Sequence, residues 1–498
     1  MKIPLLLISS VAIASSVQVA ERAAIEYPVI ALYENQDMPS GLQPAYAGLH
    51  YSLAFVPSEL LEDFRGELLM PLSPGDYYIM RVAAPESLMA VSGKIPFVLL
   101  GEDAIFKTDP AGAATLSRFG WGLTRLSEPA TAPRTPAPGG PPMTAQVDSN
   151  ILEMISVITP QSSRLILSDL SAIWSRNSYT QGCRQAEQYV FDYLVQQDYS
   201  TSFFNFQFGG VNMRNVIGEK LGEVHPESII IVCAHLDCIS ETPDSPAPGA
   251  EDNASGCAVV LETARAFSQF PCDMTVRFIT FSGEEQGLIG SDQYAAYVQS
   301  QGALVAAVLN VDMVGYSGPY AQDMYIFSDH NSYSLGALGA SIISDYTNLD
   351  TNTVYNYFPQ YGSDHYSFAI RGYPAIFFID AWLDYDWYPF YHTSADTVGN
   401  LNLAQQASIG RAVAAMTAFL SRPDFGPQYV AGDANGDGAV NGIDVIYLVG
   451  YLKGFVPAPE PILRADANGS CSVNGLDVVY LVSYLKGTGA PPFYGECR

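Results

Sequence analysis

Between residues 145 and 424, short apolar runs alternate with longer segments whose apolar residues recur at helical spacing. Ser228 to Ala234 is a continuous apolar run rich in β-branched residues, which is typical of a buried parallel strand. From Asn253 to Phe270 the apolar residues recur at helical spacing. This alternation predicts an α/β sandwich whose active site lies beyond the carboxyl ends of the strands. The predicted strands are 228–234, 274–281, 304–311 and 374–379, and the predicted helices are 253–270, 291–299 and 403–420.

Residues 21–128 show a different pattern, in which short apolar runs such as 51–56, 77–82 and 96–100 are separated by turns. This pattern predicts a small strand-containing module. Because the module has no convergent set of polar residues, we interpret it as an accessory module or as a propeptide that assists folding or covers the site until it is removed. Its position before the predicted enzyme favours the propeptide. Residues 129–144 are a Pro-rich linker, extended and exposed.

The amino terminus has the pattern of a secretory signal peptide over residues 1–20. Met1-Lys2 is followed by an apolar run to Val11 and then by small residues. The run is shorter than the ~20 residues that a membrane-spanning helix needs, and no later segment is long and apolar enough. We therefore expect an exported protein, either secreted or attached to a cell surface or scaffold, without a membrane span.

The net charge of the chain excludes some classes of binding partner. The chain has 498 residues and a formal charge of −28, from 51 acidic and 23 basic residues. Such a surface argues against nucleic acid and anionic membranes as partners. The seven cysteines form no metal-binding pattern, and their odd number leaves at least one thiol unpaired or intermolecular. Cys471 and Cys497 are the first candidate for a disulfide.

After Pro423 the chain contains an internal repeat of an acidic loop followed by an apolar helix. Residues 433–444 match 466–477, and 445–453 match 478–486. Oxygen ligands at alternate loop positions, with Gly438 at the sixth, suit Ca²⁺, although Ser470 and Cys471 depart from this pattern in the second loop. The candidate calcium ligands are Asp433, Asn435, Asp437, the Ala439 carbonyl, Asn441 and Asp444, and in the second loop Asp466, Asn468, Ser470, Asn474 and Asp477.

Five short motifs between residues 235 and 392 carry the candidate chemistry. They contain two histidines and several carboxylates beside small or turn-forming residues, a combination that suits two Zn²⁺ ions bridged by a carboxylate. Because Glu284 and Glu285 are adjacent, one can bind a metal while the other acts on water. The motifs are His235-Leu-Asp237, Pro248-Gly-Ala-Glu-Asp252-Asn-Ala-Ser-Gly, Gly283-Glu284-Glu285, Asn310-Val-Asp312 and Tyr391-His392.

Two other hydrolase classes lack their signatures in this sequence. The His-Glu-x-x-His motif of mononuclear zinc proteases is absent, and so is the Gly-x-Ser-x-Gly motif of serine hydrolases.

With these motifs, the segment from 145 to 424 resembles the secreted di-zinc aminopeptidases, the family of bacterial leucyl aminopeptidase. The resemblance implies a mixed, mostly parallel sheet flanked by helices. It also implies that His235 and Asp312 hold one zinc, that Glu285 and His392 hold the other, and that Asp252 bridges them. Glu284 would be the general base, Asp237 would orient His235, and Tyr391 would stabilise the tetrahedral oxyanion. His365, in a segment that also resembles the family, is not a ligand there.

The same resemblance implies the function. We expect an exported metallo-aminopeptidase that removes N-terminal residues from peptides with a free N-terminus, using water activated by zinc and Glu284 as the base. A carboxypeptidase and a glutaminyl cyclase, which works with a single zinc, are alternatives on the same fold. A non-catalytic binding protein on a peptidase scaffold is the alternative outside the enzymes, and the complete ligand set argues against it.

The repeat at 431–498 resembles the dockerin module, which docks onto cohesin domains in cellulosomal enzymes. The resemblance implies calcium in the loops and a cohesin-like scaffold protein as partner.

Overall fold

In the computed structural model, residues 147–495 are described apart from 243–244, 319–322, 330, 356–361, 381–387 and 427–428. Before residue 147, the structure describes eight strands and positions 95, 112, 113 and 116. The predicted signal peptide and Pro-rich linker lie outside the described residues. The chain divides into two units, Met1–Pro423 and Asp424–Arg498.

The amino-terminal part of the first unit contains two four-stranded antiparallel sheets. Their strand orders are β2-β3-β1-β4 and β6-β7-β5-β8. The strands are β1 Val29–Glu34, β2 Pro44–Ala47, β3 Tyr51–Val56, β4 Glu67–Pro71, β5 Asp76–Arg81, β6 Phe97–Leu100, β7 Asp103–Thr108 and β8 Leu123–Leu126.

The centre of the first unit is a mixed sheet of eight strands in the order β15-β14-β16-β13-β11-β12-β10-β9. The inner pairs β12–β11, β11–β13 and β13–β16 are parallel, whereas β9–β10, β10–β12 and β14–β16 are antiparallel. The predicted α/β fold with a mixed, mostly parallel sheet is confirmed. The strands are β9 Ser200–Phe208, β10 Val211–Lys220, β11 His225–His235, β12 Met274–Phe281, β13 Leu304–Val311, β14 Met324–Ser328, β15 Thr351–Tyr355 and β16 Ala375–Ile379.

In the part of the chain that the structure describes, eight α-helices flank this sheet. On β11, Ile229 and Ile231 pack with residues of α5 and α7, while the alternate residues Ile230 and Val232 are also buried, so both faces of the strand are covered. Helices α4 and α8 contact each other and both contact β11. The helices are α1 Ser149–Ile155, α2 Pro160–Ser171, α3 Gln181–Gln196, α4 Gly256–Phe267, α5 Ile289–Ser300, α6 Tyr333–Tyr346, α7 His365–Ala369 and α8 Leu403–Ser421.

The predicted elements differ from the observed ones mainly at the margins. Helix α4 begins at Gly256, because the backbone before it is not helical at Asp252 (φ −107°, ψ 91°) and Asn253 (φ −135°, ψ 48°), in the turn that carries one of the candidate ligands. Strands β9, β10, β14 and β15 and helices α1, α2, α3, α6 and α7 were not predicted, and the reason is clearest for β9. Most of its residues are exposed or half-buried, so its sequence lacks the apolar run of an inner strand.

The second unit contains the repeat, with helices α9 Gly442–Leu452 and α10 Gly475–Leu485. Leu448 and Leu481, which occupy equivalent positions in the two helices, are fully buried in one small core with three alanines. Cys471 is disulfide-bonded, while its candidate partner Cys497 lies outside the described residues. The cysteines of the first unit, 183, 233, 238, 257 and 272, are buried and free.

The amino-terminal module shares a hydrophobic core with the central sheet. Phe106 of β7 and Tyr78 of β5 pack with Phe208 of β9, Met213 of β10 and Ile289 at the start of α5. Because these side chains bury one another, a propeptide that left after folding would expose apolar surface of the central sheet.

Among the described residues, no helix is long and apolar enough to cross a membrane.

This shared core gives a stability prediction. Phe106 is fully buried, so Phe106→Ala should lower the free energy of unfolding by about 3–5 kcal/mol through lost burial and the cavity left behind. Urea denaturation of the first unit measures the change. Leu165→Ala is the control, since Leu165 is 65% exposed and its loss should cost less than about 0.5 kcal/mol. Equal effects of the two changes would contradict the shared core.

Candidate metal centre

The candidate ligands lie at one edge of the central sheet. His235 is the last residue of β11, Glu284 and Glu285 follow the end of β12 at Phe281, and Asp312 follows the end of β13 at Val311. These three strands are parallel neighbours. Their carboxyl ends therefore meet at the same edge, and the residues that follow them converge there.

Five side chains form two groups that share one carboxylate. His235, Asp252 and Asp312 make the first group, and Asp252, Glu285 and His392 make the second, each with ligand atoms within 4.8 Å of one another. His235 Nε2 lies 3.2 Å from Asp252 Oδ1 and 3.2 Å from Asp312 Oδ1. His392 Nε2 lies 3.0 Å from Asp252 Oδ2 and 3.0 Å from Glu285 Oε2. Asp252 thus presents one oxygen to each group.

The protonation of the His235 ring follows from its neighbours. Nδ1 lies 3.0 Å from the backbone carbonyl oxygen of Asp237, which can only accept a hydrogen bond. Nδ1 therefore carries the proton, and Nε2 is left to face the two carboxylates. The Asp237 carboxylate is farther from the ring, at 3.9 Å from Nδ1.

The Asp237 carboxylate contacts the next loop instead. Its two oxygens accept the backbone N–H groups of Glu284 at 3.1 Å and Glu285 at 3.3 Å. The structure thus places Asp237 between the two glutamates and the strand that carries His235. The predicted contact with the imidazole is made by the Asp237 backbone, and the side chain positions the glutamate pair.

The electrostatic balance of the site is strongly negative. Burial disfavours the charged imidazole of His392, but Glu285 and Asp252 outweigh it and raise its pKa to about 10. Burial raises the pKa of Glu285 to about 7 and that of Glu284 well above the ordinary carboxyl value. Burying so many carboxylates is costly unless cations neutralise them.

The donor set fits zinc. Each group offers one imidazole nitrogen and carboxylate oxygens, the ligand types that zinc takes in sites with an open position. Glu285 Oε1 is buried and has no hydrogen-bond partner among the described residues, although buried polar atoms normally have one. An oxygen held in this state beside His392 and Asp252 is suited to bind a cation.

Several supporting residues were not predicted from the sequence. Ser363 donates to Asp312 Oδ2 at 2.6 Å and accepts from Asn310 at 2.8 Å, so it orients that ligand. Asn253 accepts the backbone N–H of Met313 at 3.2 Å and donates to the carbonyl of Val311 at 3.0 Å, on either side of Asp312. Isolated polar residues of this kind have no sequence pattern, so only the fold could identify them.

A buried arginine holds two ligand-bearing segments together. Arg176 is fully buried and donates to the carbonyl oxygens of Leu236 at 2.9 Å and Gly249 at 2.8 Å. Gly249 has φ of +51°, and a Cβ there would lie 2.5 Å from the carbonyl oxygen of Asp252. A larger residue at 249 would therefore displace the turn that presents Asp252.

Tyr391 and His365 lie near the site in different ways. The ring of Tyr391 stacks on His392, with centroids 3.6 Å apart, and burial raises the pKa of its phenol well above the ordinary value. His365 begins α7 and stacks on Phe377, with centroids 4.9 Å apart. His365 belongs to neither group of candidate ligands.

In the first loop of the repeat, the carboxylates at positions 1 and 12 organise the backbone. Asp433 accepts the N–H groups of Gly436 at 2.9 Å, Asp437 at 3.1 Å and Gly438 at 3.0 Å. Asp444 accepts those of Asn435 at 3.2 Å and Asn441 at 2.8 Å. Three of the six candidate calcium ligands are amide or carbonyl oxygens. Among the described residues, the carboxylates of this loop do not form a group of three that could hold a metal ion by themselves.

In the second loop, the carboxylates at positions 1 and 12 organise the backbone in a similar way. Asp466 accepts the N–H groups of Ser470 at 3.0 Å and Cys471 at 2.7 Å, and Asp477 accepts that of Asn474 at 2.8 Å. Cys471 adopts φ of +61°, the left-handed region that Gly438 occupies in the first loop. The turn therefore forms in both loops, although Ser470 replaces a carboxylate in the second.

Comparison with protein families gives two matches. Residues 215–417 match Peptidase family M28, and residues 431–486 match the Dockerin type I domain. The first segment contains all of the candidate zinc ligands, and the second contains both candidate calcium loops.

Curated proteins named as aminopeptidases are similar to part of this chain. A probable leucine aminopeptidase of Arthroderma otae is 33% identical over 189 residues, which cover 36% of this chain and 50% of the relative. Aminopeptidase YwaD of Bacillus subtilis is 32% identical over 215 residues, which cover 42% of this chain and 45% of the relative. The chain therefore spans about half the length of the curated relatives it matches.

A solved structure shows the same fold. The crystal structure of the Legionella pneumophila LapA aminopeptidase matches with a TM-score of 0.54 and 20% identity, covering 70% of this chain and 99% of that chain.

Proposed function

We propose that this chain, whose residues 215–417 belong to peptidase family M28 and whose residues 431–486 form a dockerin type I domain, is an exported zinc-dependent aminopeptidase. The observation that carries the proposal is the pair of ligand groups that share Asp252, with Glu284 directly before Glu285 in the chain. The relatives named as aminopeptidases support the choice of reaction.

In this proposal, His235, Asp252 and Asp312 would hold one zinc ion, and Asp252, Glu285 and His392 would hold the other. Ions bound there would polarise the scissile carbonyl and lower the pKa of the attacking water. Glu284, which belongs to neither ligand group, would accept the proton of that water and return it to the leaving amine. The Asp237 carboxylate keeps Glu284 in place by accepting the backbone N–H of Glu284.

The remaining residues position the substrate and the reacting groups. Tyr391, whose ring stacks on His392, would donate a hydrogen bond from its phenol to the oxyanion that forms at the scissile carbon. A free α-amine of the substrate would be attracted by the buried carboxylates, which favours cleavage at the N-terminal residue of a peptide.

A panel of substrates tests the reaction. The full chain with zinc should hydrolyse aminoacyl p-nitroanilides and should fail to hydrolyse the same compounds with an acetylated amine. Release of a C-terminal residue from N-acetylated peptides would identify a carboxypeptidase instead, and cyclisation of N-terminal glutaminyl peptides would identify a cyclase. Zinc binding without turnover of any of these substrates would support a binding protein on a peptidase scaffold.

The second unit would attach the enzyme to a scaffold. Its dockerin match and repeated loops support docking to a cohesin-like protein, with calcium held by the ligands that begin at Asp433 and Asp466. Such attachment requires export, which the signal-like residues 1–20 would direct. Deleting residues 431–498 should then abolish attachment and leave peptidase turnover unchanged.

The first calcium loop gives a testable prediction. Asp444→Ala removes the carboxylate that closes the loop and accepts two of its backbone N–H groups, so calcium binding by that loop should be lost. Calorimetry of the full chain, with zinc present in excess, measures the heat of calcium binding.

The control is the equivalent change in the second loop. Since Ser470 offers no carboxylate, Asp477→Ala should remove less calcium affinity than Asp444→Ala. An unaltered parent chain that binds no calcium at about millimolar concentration would contradict the calcium sites altogether.

A further inference from the structure

Asp396 connects two segments that carry candidate zinc ligands. It lies four residues after His392, is 2% exposed, and accepts the backbone N–H of Glu251 on Oδ1 at 2.8 Å. Its other oxygen, Oδ2, accepts the backbone N–H of Asp252 at 3.1 Å. The two segments are 145 residues apart in the chain, so this carboxylate joins parts of the site that no local structure holds together.

Two further contacts reinforce this connection. The phenol of Tyr388 donates to Asp396 Oδ1 at 2.9 Å, and the backbone carbonyl of Asp396 accepts the N–H of Ala250 at 3.3 Å. Tyr388 itself is almost fully buried in an apolar cluster with Phe377 and Ile379 of β16. Asp396 is thus held from the sheet side by Tyr388, and it holds the turn that presents Asp252.

The other candidate ligands have separate supports. Ser363 and Asn310 orient Asp312, the Asp237 carbonyl orients His235, and the Asp237 carboxylate holds the loop of Glu285. None of these contacts involves Asp396. A loss at Asp396 should therefore act on the spacing between Asp252 and His392 and leave the other ligands in place.

We infer that Asp396 is a positioning residue, which fixes the Asp252 carboxylate relative to His392 and so sets the affinity of the second zinc group. Asp396 is not a member of either ligand group, and its carboxylate acts through the backbone N–H of Asp252. Hydrogen bonds from N–H groups to a carboxylate are stronger than those between neutral groups, which suits it to hold a turn against the repulsion of neighbouring carboxylates. The inference rests on the proposed di-zinc function.

Asp396→Asn tests the inference, because the amide replaces one accepting oxygen with a donor that faces an N–H group. Changes to residues that support metal ligands typically cost about 10–100-fold in metal affinity. We therefore expect the zinc dissociation constant of the second group to rise by about 10–100-fold, with that of the first group changed much less. Titration of the full apo-chain against a chromophoric zinc chelator measures both constants, and excess zinc should restore most of the lost kcat.

Two further variants keep the test decisive. Tyr388→Phe removes one donor and leaves the carboxylate, so it should raise the same constant by about fivefold, the equivalent of one hydrogen bond. If Asp396→Asn fails to fold, the zinc constant of Tyr388→Phe tests the inference in its place. Glu262→Gln is the control: Glu262 is buried and bonded to Arg265 on α4, and this change should lower stability without altering either zinc constant.

The outcomes separate the inference from the proposed function. A parent chain that binds two zinc ions, with both constants in folded Asp396→Asn within about twofold of the parent, would overturn the role of Asp396. If Asp396→Asn is unfolded, unchanged constants in Tyr388→Phe would overturn it. A parent chain that binds fewer than two zinc ions would overturn the di-zinc function, and with it the inference.

Discussion

Glu284→Gln should lower kcat by about 10²–10⁴-fold while both zinc ions stay bound, because glutamine cannot accept the proton of the attacking water. Glu284 is next to a ligand but belongs to neither ligand group. Its backbone N–H is held by Asp237 at 3.1 Å, so the loop should keep its position when the side chain changes. Steady-state kinetics and elemental analysis of zinc on the same sample measure the two quantities.

Glu285→Gln is the matched control, since it makes the same chemical change one residue along. Glu285 Oε2 lies 3.0 Å from His392 Nε2 in the second group, so this variant should lose zinc as well as activity. Near-normal turnover in zinc-replete Glu284→Gln would remove Glu284 from the role of base. Zinc loss in Glu284→Gln, with retention in Glu285→Gln, would show that the two roles are exchanged.

The candidate ligands could be predicted because they are attached to features that sequence patterns reveal. Buried parallel strands are apolar from end to end, so the polar residues His235 and Asp312 stand out where β11 and β13 finish. Neighbouring parallel strands end at the same edge, which turns two separate positions along the chain into one site. The order of strands was not needed for this step.

The supports of the site could not be predicted, because their partners are distant in sequence. Arg176, Asn253, Ser363 and Asp396 are single polar residues that make sense only beside the backbone groups they bind. Asp237 shows the same limit. The resemblance implied that it orients His235, and no sequence pattern indicated that its carboxylate also accepts the backbone N–H of Glu284.

The amino-terminal module shows what alternation of polar and apolar residues leaves open. The runs at 77–82 and 96–100 predicted strands, and strands β5 and β6 are present there. Alternation identifies the face of a strand that is buried but not what covers it. The partner of Phe106 is the surface formed by Phe208, Met213 and Ile289, about 100 to 180 residues later in the chain.

Asp252→Ala should remove most of the bound zinc and essentially all activity. Asp252 is the only residue that belongs to both ligand groups among the described residues, with Oδ1 3.2 Å from His235 Nε2 and Oδ2 3.0 Å from His392 Nε2. Without it, each group keeps two ligands instead of three, below the number that holds zinc firmly in proteins. Zinc content after dialysis should fall from about two ions per chain to well below one.

Asp312→Ala is the matched control, because Asp312 belongs to the first group alone and its loss should release about one ion. Circular dichroism before and after dialysis shows whether each variant is folded. Folded Asp252→Ala that still held two zinc ions would reduce Asp252 to an ordinary turn residue and would leave the two groups without their shared ligand.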